Sequence, residues 1–262
     1  MSHDSFYQDH WINIEAERLA RYEEMFAFRE HQEPLIAPLE LEPGHSVADY
    51  GCGPAFMAME FARRVGPGGK VYGFDVNQDF VQRASQRIRE AHLENVELFR
   101  IISEHTPLED EAVDRLFCKN VLEYVPDLDA TLKEQFRILK SGGLIQIVDS
   151  DWDFVVVEPW DPDTTRRFFA AAAPAFNEPN IGRKLYSAMR RTGFSEVNVN
   201  ISAAIDTTGR SRSVLTNMAS YIRTFETLPD DEVAGLMAKL DAATIDKSYL
   251  FVLPQFIVTA RK

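Results

Sequence analysis

DYGCGPAF, Asp49 to Phe56, followed by KVYGFDVN, Lys70 to Asn77, decides the fold of this chain. Two glycines stand directly after an apolar run, and a carboxylate ends the next apolar run. That is how a strand-loop-helix-strand unit holds an adenosine. Gly51 and Gly53 suit a loop that turns sharply and lets a ligand approach bare backbone. Asp75 lies 24 residues after Gly51, near the ~20 expected of a carboxylate accepting from ribose hydroxyls. A dinucleotide loop would bring a third glycine to position 56, where pyrophosphate passes close to the helix. Phenylalanine there disfavours a nicotinamide oxidoreductase, and no second glycine-rich nucleotide loop follows.

What remains, Asp49-x-Gly51-x-Gly53-x-Ala55, resembles motif I of the class I S-adenosylmethionine-dependent methyltransferases, and the resemblance runs from about Pro34 to Asp149. The family pattern ends in glycine where this chain has Ala55. The resemblance implies a Rossmann-like α/β fold, S-adenosylmethionine as donor with S-adenosylhomocysteine as product, and a small-molecule acceptor.

Composition bounds the partners. Against 28 basic residues stand 41 acidic ones, a net charge of −13, which disfavours nucleic acid and anionic membranes, since both need clustered positive charge. The basic run Arg183 to Arg191 reads more simply as a solvated helix face than as a phosphate patch. No apolar run approaches the ~20 residues that span a bilayer, and the N-terminus lacks an apolar signal core, so a soluble, cytoplasmic protein is expected. Two cysteines, Cys52 and Cys118, and scattered histidines make neither a disulfide framework nor a metal site. The cysteines fall at the ends of neighbouring strands and are expected to be close and reduced.

Alternating strands and helices predict a parallel, doubly wound seven-stranded sheet. Strands are expected at Ser46 to Tyr50, Lys70 to Asp75, Val96 to Ile101, Asp114 to Cys118, Leu144 to Asp149, around Val197 to Ile201, and at Phe256 to Ala260. Helices fall between them, one of them ending at Ser141-Gly142-Gly143. By the resemblance, the last strand is antiparallel and the order is 3-2-1-4-5-7-6. The chain reads as one domain over 1–262, with a helical lid at 1–45, a cofactor-binding core at 46–149 and two insertions at 150–179 and 203–253. Both insertions leave from the ligand-binding edge of the sheet, so they are expected to cap the acceptor pocket; the alternatives are core padding and a homodimer face.

The resemblance assigns residues in turn. Gly51, Cys52 and Gly53 wrap the methionine part of the donor, and Asp49 meets its ammonium unless it bonds only to backbone amides. Asp75 takes the ribose, with Val76 and Asn77 beside the adenine. The acidic residue usual after the third strand is replaced by Ile102, which leaves Ser103 and the Glu104 backbone for the adenine. Cys118, Lys119 and Asn120 pass under the methionine, although Asn120 also fits a helix cap. Arg29, with Gln32, stands where a fork-shaped cation can reach the donor carboxylate; an exposed helix surface is the alternative.

Methyl transfer from a sulfonium is an in-line displacement, so the protein chiefly holds the acceptor ~3–3.5 Å from the methyl carbon. A base helps a phenol, acid or carbon acceptor, whereas a neutral amine needs none. His10, Asp151 and Asp153 are the candidate catalytic groups, the two acids also fitting a solvent-facing loop. Tyr7, Trp11, Tyr22, Trp152 and Tyr186 are candidate acceptor contacts. The 18 phenylalanines, many of them outside the core segment, lean towards an apolar or aromatic metabolite in specialised metabolism. A quinone-pathway C-methyltransferase is the nearest alternative. A non-catalytic S-adenosylmethionine-binding regulatory protein is the further one, weakly supported by Ala55 and Ile102.

Overall fold

Short buried runs between glycine turns become the parallel strands. The computed structural model describes residues 6–29 and 32–262, so within the expected lid residues 1–5, 30 and 31 lie outside the described residues. The strands are β1 (Ser46–Tyr50), β2 (Lys70–Asp75), β3 (Val96–Arg100), β4 (Val113–Lys119), β5 (Leu139–Ser150), β6 (Val156–Glu158), β7 (Ser195–Ser202), β8 (Ile205–Asp206), β9 (Leu250–Val252) and β10 (Gln255–Arg261). The main sheet has the order β3-β2-β1-β4-β5-β10-β7. With the three small strands left out of the count, this is 3-2-1-4-5-7-6, and β10 is antiparallel to both of its neighbours, as the resemblance implies.

Helices cover both faces, as a parallel sheet requires. They are α1 (Phe6–Ile12), α2 (Ala16–Phe26), α3 (Glu33–Ile36), α4 (Phe56–Val65), α5 (Gln78–Glu90), α6 (Leu128–Ile138), α7 (Pro162–Ala172), α8 (Ile181–Thr192), α9 (Arg212–Phe225) and α10 (Asp230–Asp246). Alternation along β1 sends Val47 into the apolar layer under α4 and α5, and Ala48 and Tyr50 into the layer under α6 and α8. In α4, Ala58, Phe61, Ala62 and Val65 recur at helical spacing and are buried. The helix expected to run into Ser141-Gly142-Gly143 ends earlier. Leu139 is already extended and pairs with Val113, and the ladder shifts register before Leu144 resumes opposite Arg115. Among the described residues no helix is long and apolar enough to cross a membrane.

The insertions at 150–179 and 203–253 meet each other. β6 from the first pairs with β9 from the second, and β8 pairs with the other side of β9. This three-stranded sheet was not expected from sequence. It stands over an apolar core of its own, in which Trp160, Phe168, Leu215, Tyr221, Leu240 and Phe251 are buried together with Phe6 of α1. The lid and the insertions are therefore parts of one packed layer. Phe168 is fully buried with its ring 4.7 Å from that of Trp160. Phe168→Ala should cost about 3–5 kcal/mol of stability by leaving a cavity there; chemical denaturation with an unchanged midpoint would contradict this packing.

Candidate active site

The carboxyl ends of β1, β2 and β4 surround a cavity of about 340 Å³, at the edge where open α/β sheets bind ligands. Its floor is the motif loop. The amides of Gly51 and Cys52 both donate to the Phe74 carbonyl, at 2.8 and 2.9 Å, which closes the turn against β2. Gly51 has φ +78°, and a side chain there would meet Val121 Cγ2 at 2.1 Å, so this position requires glycine both for its backbone and for the close approach of the loop after β4. Ala55 also lies in the left-handed region, at φ 61°. At this position the family pattern has glycine, and alanine stores strain.

Asp75 organises the loop. Its Oδ2 accepts from the Gly53 amide at 2.7 Å and its Oδ1 from the Asn77 amide at 2.8 Å. Burial pushes its carboxyl up to about 6, against the pull of those amides. Asp49 is buried on the neighbouring strand, and its Oδ2 has no hydrogen-bond partner. Burial, and then the nearby charge of Asp75, raises it to about 7. An orphaned buried carboxylate oxygen is costly unless a ligand supplies the missing donor. The Oδ1 of Asn120 is similarly unpartnered.

Of the residues expected at the donor site, Asp49, Gly51, Cys52, Gly53, Asp75, Val76, Ser103, Glu104, Lys119 and Asn120 line this cavity, and of the expected acceptor contacts Tyr7 and Trp11 do. Asn77 is buried behind it. Its Oδ1 caps α5 by accepting from Phe80 N at 2.8 Å, and its Nδ2 donates to the Trp11 carbonyl at 3.0 Å, which ties the lid to the core. Cys118 is buried in the layer under α6 and α8 and does not line the cavity. Both cysteines are free thiols. Arg29 is exposed and outside the cavity wall, while Gln32, whose Oε1 accepts from the Arg29 amide, is part of it.

The three candidate catalytic groups are placed elsewhere. His10 is only 2% exposed; its Nε2 lies 2.9 Å from the Tyr22 hydroxyl, which also contacts Asn217 and Tyr221 of α9. Burial, and then the Arg18 charge, lowers His10 to about 4, so it stays neutral in a latch between lid and cap. Asp151 and Asp153 both pair with Arg183 of α8, and Asp151 also accepts from Asn180. Trp152 is buried, with its Nε1 donating to Glu123 Oε2 at 2.8 Å. Tyr22 is sealed in the latch, and Tyr186 is 46% exposed on the outer face of α8.

Sequence reasoning missed other walls of the cavity. Tyr50, Phe26, Phe80, Arg100 and Tyr124 all line it, and the insertions supply no lining residue. The apolar faces of the insertions close into their own core instead. Tyr50 was legible, since strand alternation must turn it away from Asp49; its hydroxyl donates to the Glu104 carbonyl at 2.9 Å. Much of the remaining wall is aromatic. Trp11 stacks on Tyr22 with ring centroids 5.0 Å apart and meets Tyr124 edge-on at 5.0 Å, and Tyr7 and Phe26 complete this side. Ile102, at the rim, is 84% exposed.

Comparison with known proteins fits this geometry. A sequence profile described as a methyltransferase domain matches residues 41–191, more than half of the chain. The chain belongs to the class I S-adenosylmethionine-dependent methyltransferase family. It is 34% identical over 143 residues to a 37.1 kDa protein of transposon TN4556 from Streptomyces fradiae, covering 54% of this chain and 41% of that one. It is 30% identical over 133 residues to a demethylmenaquinone methyltransferase from a Geobacillus strain, covering 50% and 57%. The chain thus spans about half the length of the curated relatives it matches. Its fold is similar to that of phosphoethanolamine N-methyltransferase 2 of Haemonchus contortus, solved with S-adenosyl-L-methionine, at a TM-score of 0.66 and 17% identity, covering 98% of this chain and 60% of that one.

Asp49 and Asp75 carry a pH consequence. An acid raised on folding holds its proton longer in the folded chain, so between the unfolded value of about 4 and the raised values of about 6 and 7 the empty protein loses stability as pH rises. A ligand that places a cation at Asp49 and hydroxyls at Asp75 needs the ionised forms. S-adenosylhomocysteine should therefore bind more tightly as pH rises through 6 to 7, and calorimetry in buffers of different ionisation enthalpy should find protons released on binding. Proton uptake, or a flat profile, would contradict these assignments.

Proposed function

We propose that this chain transfers a methyl group from S-adenosylmethionine to a small-molecule acceptor that presents an apolar or aromatic face. One observation carries the reading: a single cavity is lined both by the polar groups of Gly51, Gly53, Asp49 and Asp75 and by the aromatic side chains of Tyr7, Trp11, Phe26 and Tyr124. The residues present fit the donor. Asp75, already held by two backbone amides, has lone pairs left for a ribose diol. The orphaned Asp49 Oδ2 suits an ammonium, and Gly51 and Gly53 leave bare backbone beside it. Val76 and Ile102 offer apolar surface to the adenine, with Ser103 and the Glu104 backbone nearby.

The donor supplies an electrophilic methyl on a positively charged sulfur. The chain's own part is positioning and exclusion of water. The aromatic side chains orient a flat acceptor, and their ring faces favour the cationic sulfur. The lid closes over the site through the Asn77–Trp11 bond and the latch of His10, Tyr22 and Tyr221. His10 acts here as a positioning residue, since it does not face the cavity.

Methylation of a quinone-type ring carbon is the second reading, favoured by the resemblance to demethylmenaquinone methyltransferase over half the chain and by the aromatic wall. Incubation with S-adenosylmethionine and two acceptor panels, aromatic amines and phenols in one and demethylated quinols in the other, distinguishes them by which panel yields S-adenosylhomocysteine. Turnover confined to polar, phosphorylated acceptors would sink the apolar-acceptor reading, and donor binding without turnover on any panel would favour a regulatory binding protein.

A further inference from the structure

β7 and β8 are two pieces of one strand. Ile201 stands opposite Phe256 and Ile205 opposite Val252, and a single antiparallel register runs through both pairs, interrupted only at residues 203–204 and 253–254. β7 ends the order of the main sheet and β8 that of the small one. Among the described residues no strand therefore pairs with the outer edge of either, and their outward backbone groups form one open edge.

Side chains alternate along this ribbon, so Val199, Ile201 and Ile205 fall on one face, where they are 40 to 66% exposed. Val156 of β6, also opposite Val252, continues that face two strands in from the edge. Phe154 packs edge-on against Phe256 with ring centroids 5.5 Å apart. Of the eight large apolar side chains exposed among the described residues, these are five, so apolar surface is gathered here rather than scattered, which marks an interaction site. Free edges are usually blunted by lysine, proline or a bulge. Val197 to Ile205, VNVNISAAI, has neither charge nor proline, and the register shift in the β10 ladder falls at the start of β7, opposite Thr259 to Arg261.

Charge decides what covers this edge. An acidic or basic partner would be met by charged side chains, and the stretch offers none. A second copy must meet its own image, and in a chain of net charge −13 a neutral edge does so without like charges facing each other. A twofold axis perpendicular to the sheet sets two such edges antiparallel and keeps each face on its own side. Val197, Val199 and Ile201 then oppose odd-numbered residues, and Asn198, Asn200 and Ser202 even-numbered ones. Apolar side chains meet apolar ones and polar meet polar in every register that such an axis allows.

We infer that this chain forms a homodimer in which the β7–β8 edges of two copies pair antiparallel across a twofold axis, so that the sheet continues from one subunit into the next. No residue of this edge lines the cavity, so the dimer stands or falls separately from methyl transfer.

Analytical ultracentrifugation of the native chain should find a species of twice 29.8 kDa at micromolar concentration; a monomer throughout the micromolar range overturns the inference. Ile201→Lys sets an ammonium against its own image and should raise the dissociation constant at least about a hundredfold. A dimer that persists in this variant with an unchanged constant uses another face and overturns the inference as well. If the lysine variant fails to fold, hydrogen exchange of the native chain decides. Backbone amides within 197–205 should exchange more slowly as concentration is raised through the dissociation constant, and exchange there that is independent of concentration overturns the pairing.

Discussion

The Asp75 carboxylate is the joint on which the site turns. By accepting from Gly53 on one side and Asn77 on the other, it fixes the motif loop to the end of β2 and starts α5 in the same step. Asn77, so placed, caps α5 and holds the Trp11 carbonyl, and Trp11 brings the lid's aromatic face to Tyr124. A single half-buried acid thus connects the glycine turn, α5 and the closure of the cavity. Partial withdrawal from water raises its carboxyl, and its backbone donors offset only part of that rise.

The layers around this joint divide the work. Two apolar cores sandwich the sheet and keep β1, β2 and β4 in register, so that their carboxyl ends converge. A third core binds α1 to the two insertions. Its polar latch of His10, Tyr22, Asn217 and Tyr221 joins segments some two hundred residues apart in sequence. The insertions back the lid and leave the cavity walls to the lid and the loops after the strands. Aromatic rings of the lid and charged groups at the strand ends thus line one cavity.

The core was legible because its signals are local. Ser46 to Tyr50 and Lys70 to Asp75 are apolar runs cut by glycine turns, and the structure forms them with the same limits. The small sheet was not, because strands of two or three residues carry no period. His10 was misjudged because the direction of a side chain on a seven-residue helix is set by packing against α2 and α9. Asp151 and Asp153 read as free carboxylates until Arg183, about thirty residues on, is folded against them. Ala55 departs from the family's glycine, yet the loop keeps the left-handed turn and tolerates the methyl.

Calorimetric titration of the native chain and of Asp75→Ala with S-adenosylhomocysteine tests the donor site most directly. Binding by the native chain that is lost in the variant, with the variant's circular dichroism unchanged, is the predicted result. Undiminished binding in a folded Asp75→Ala variant, or no binding by the native chain, would contradict the central place given to this carboxylate.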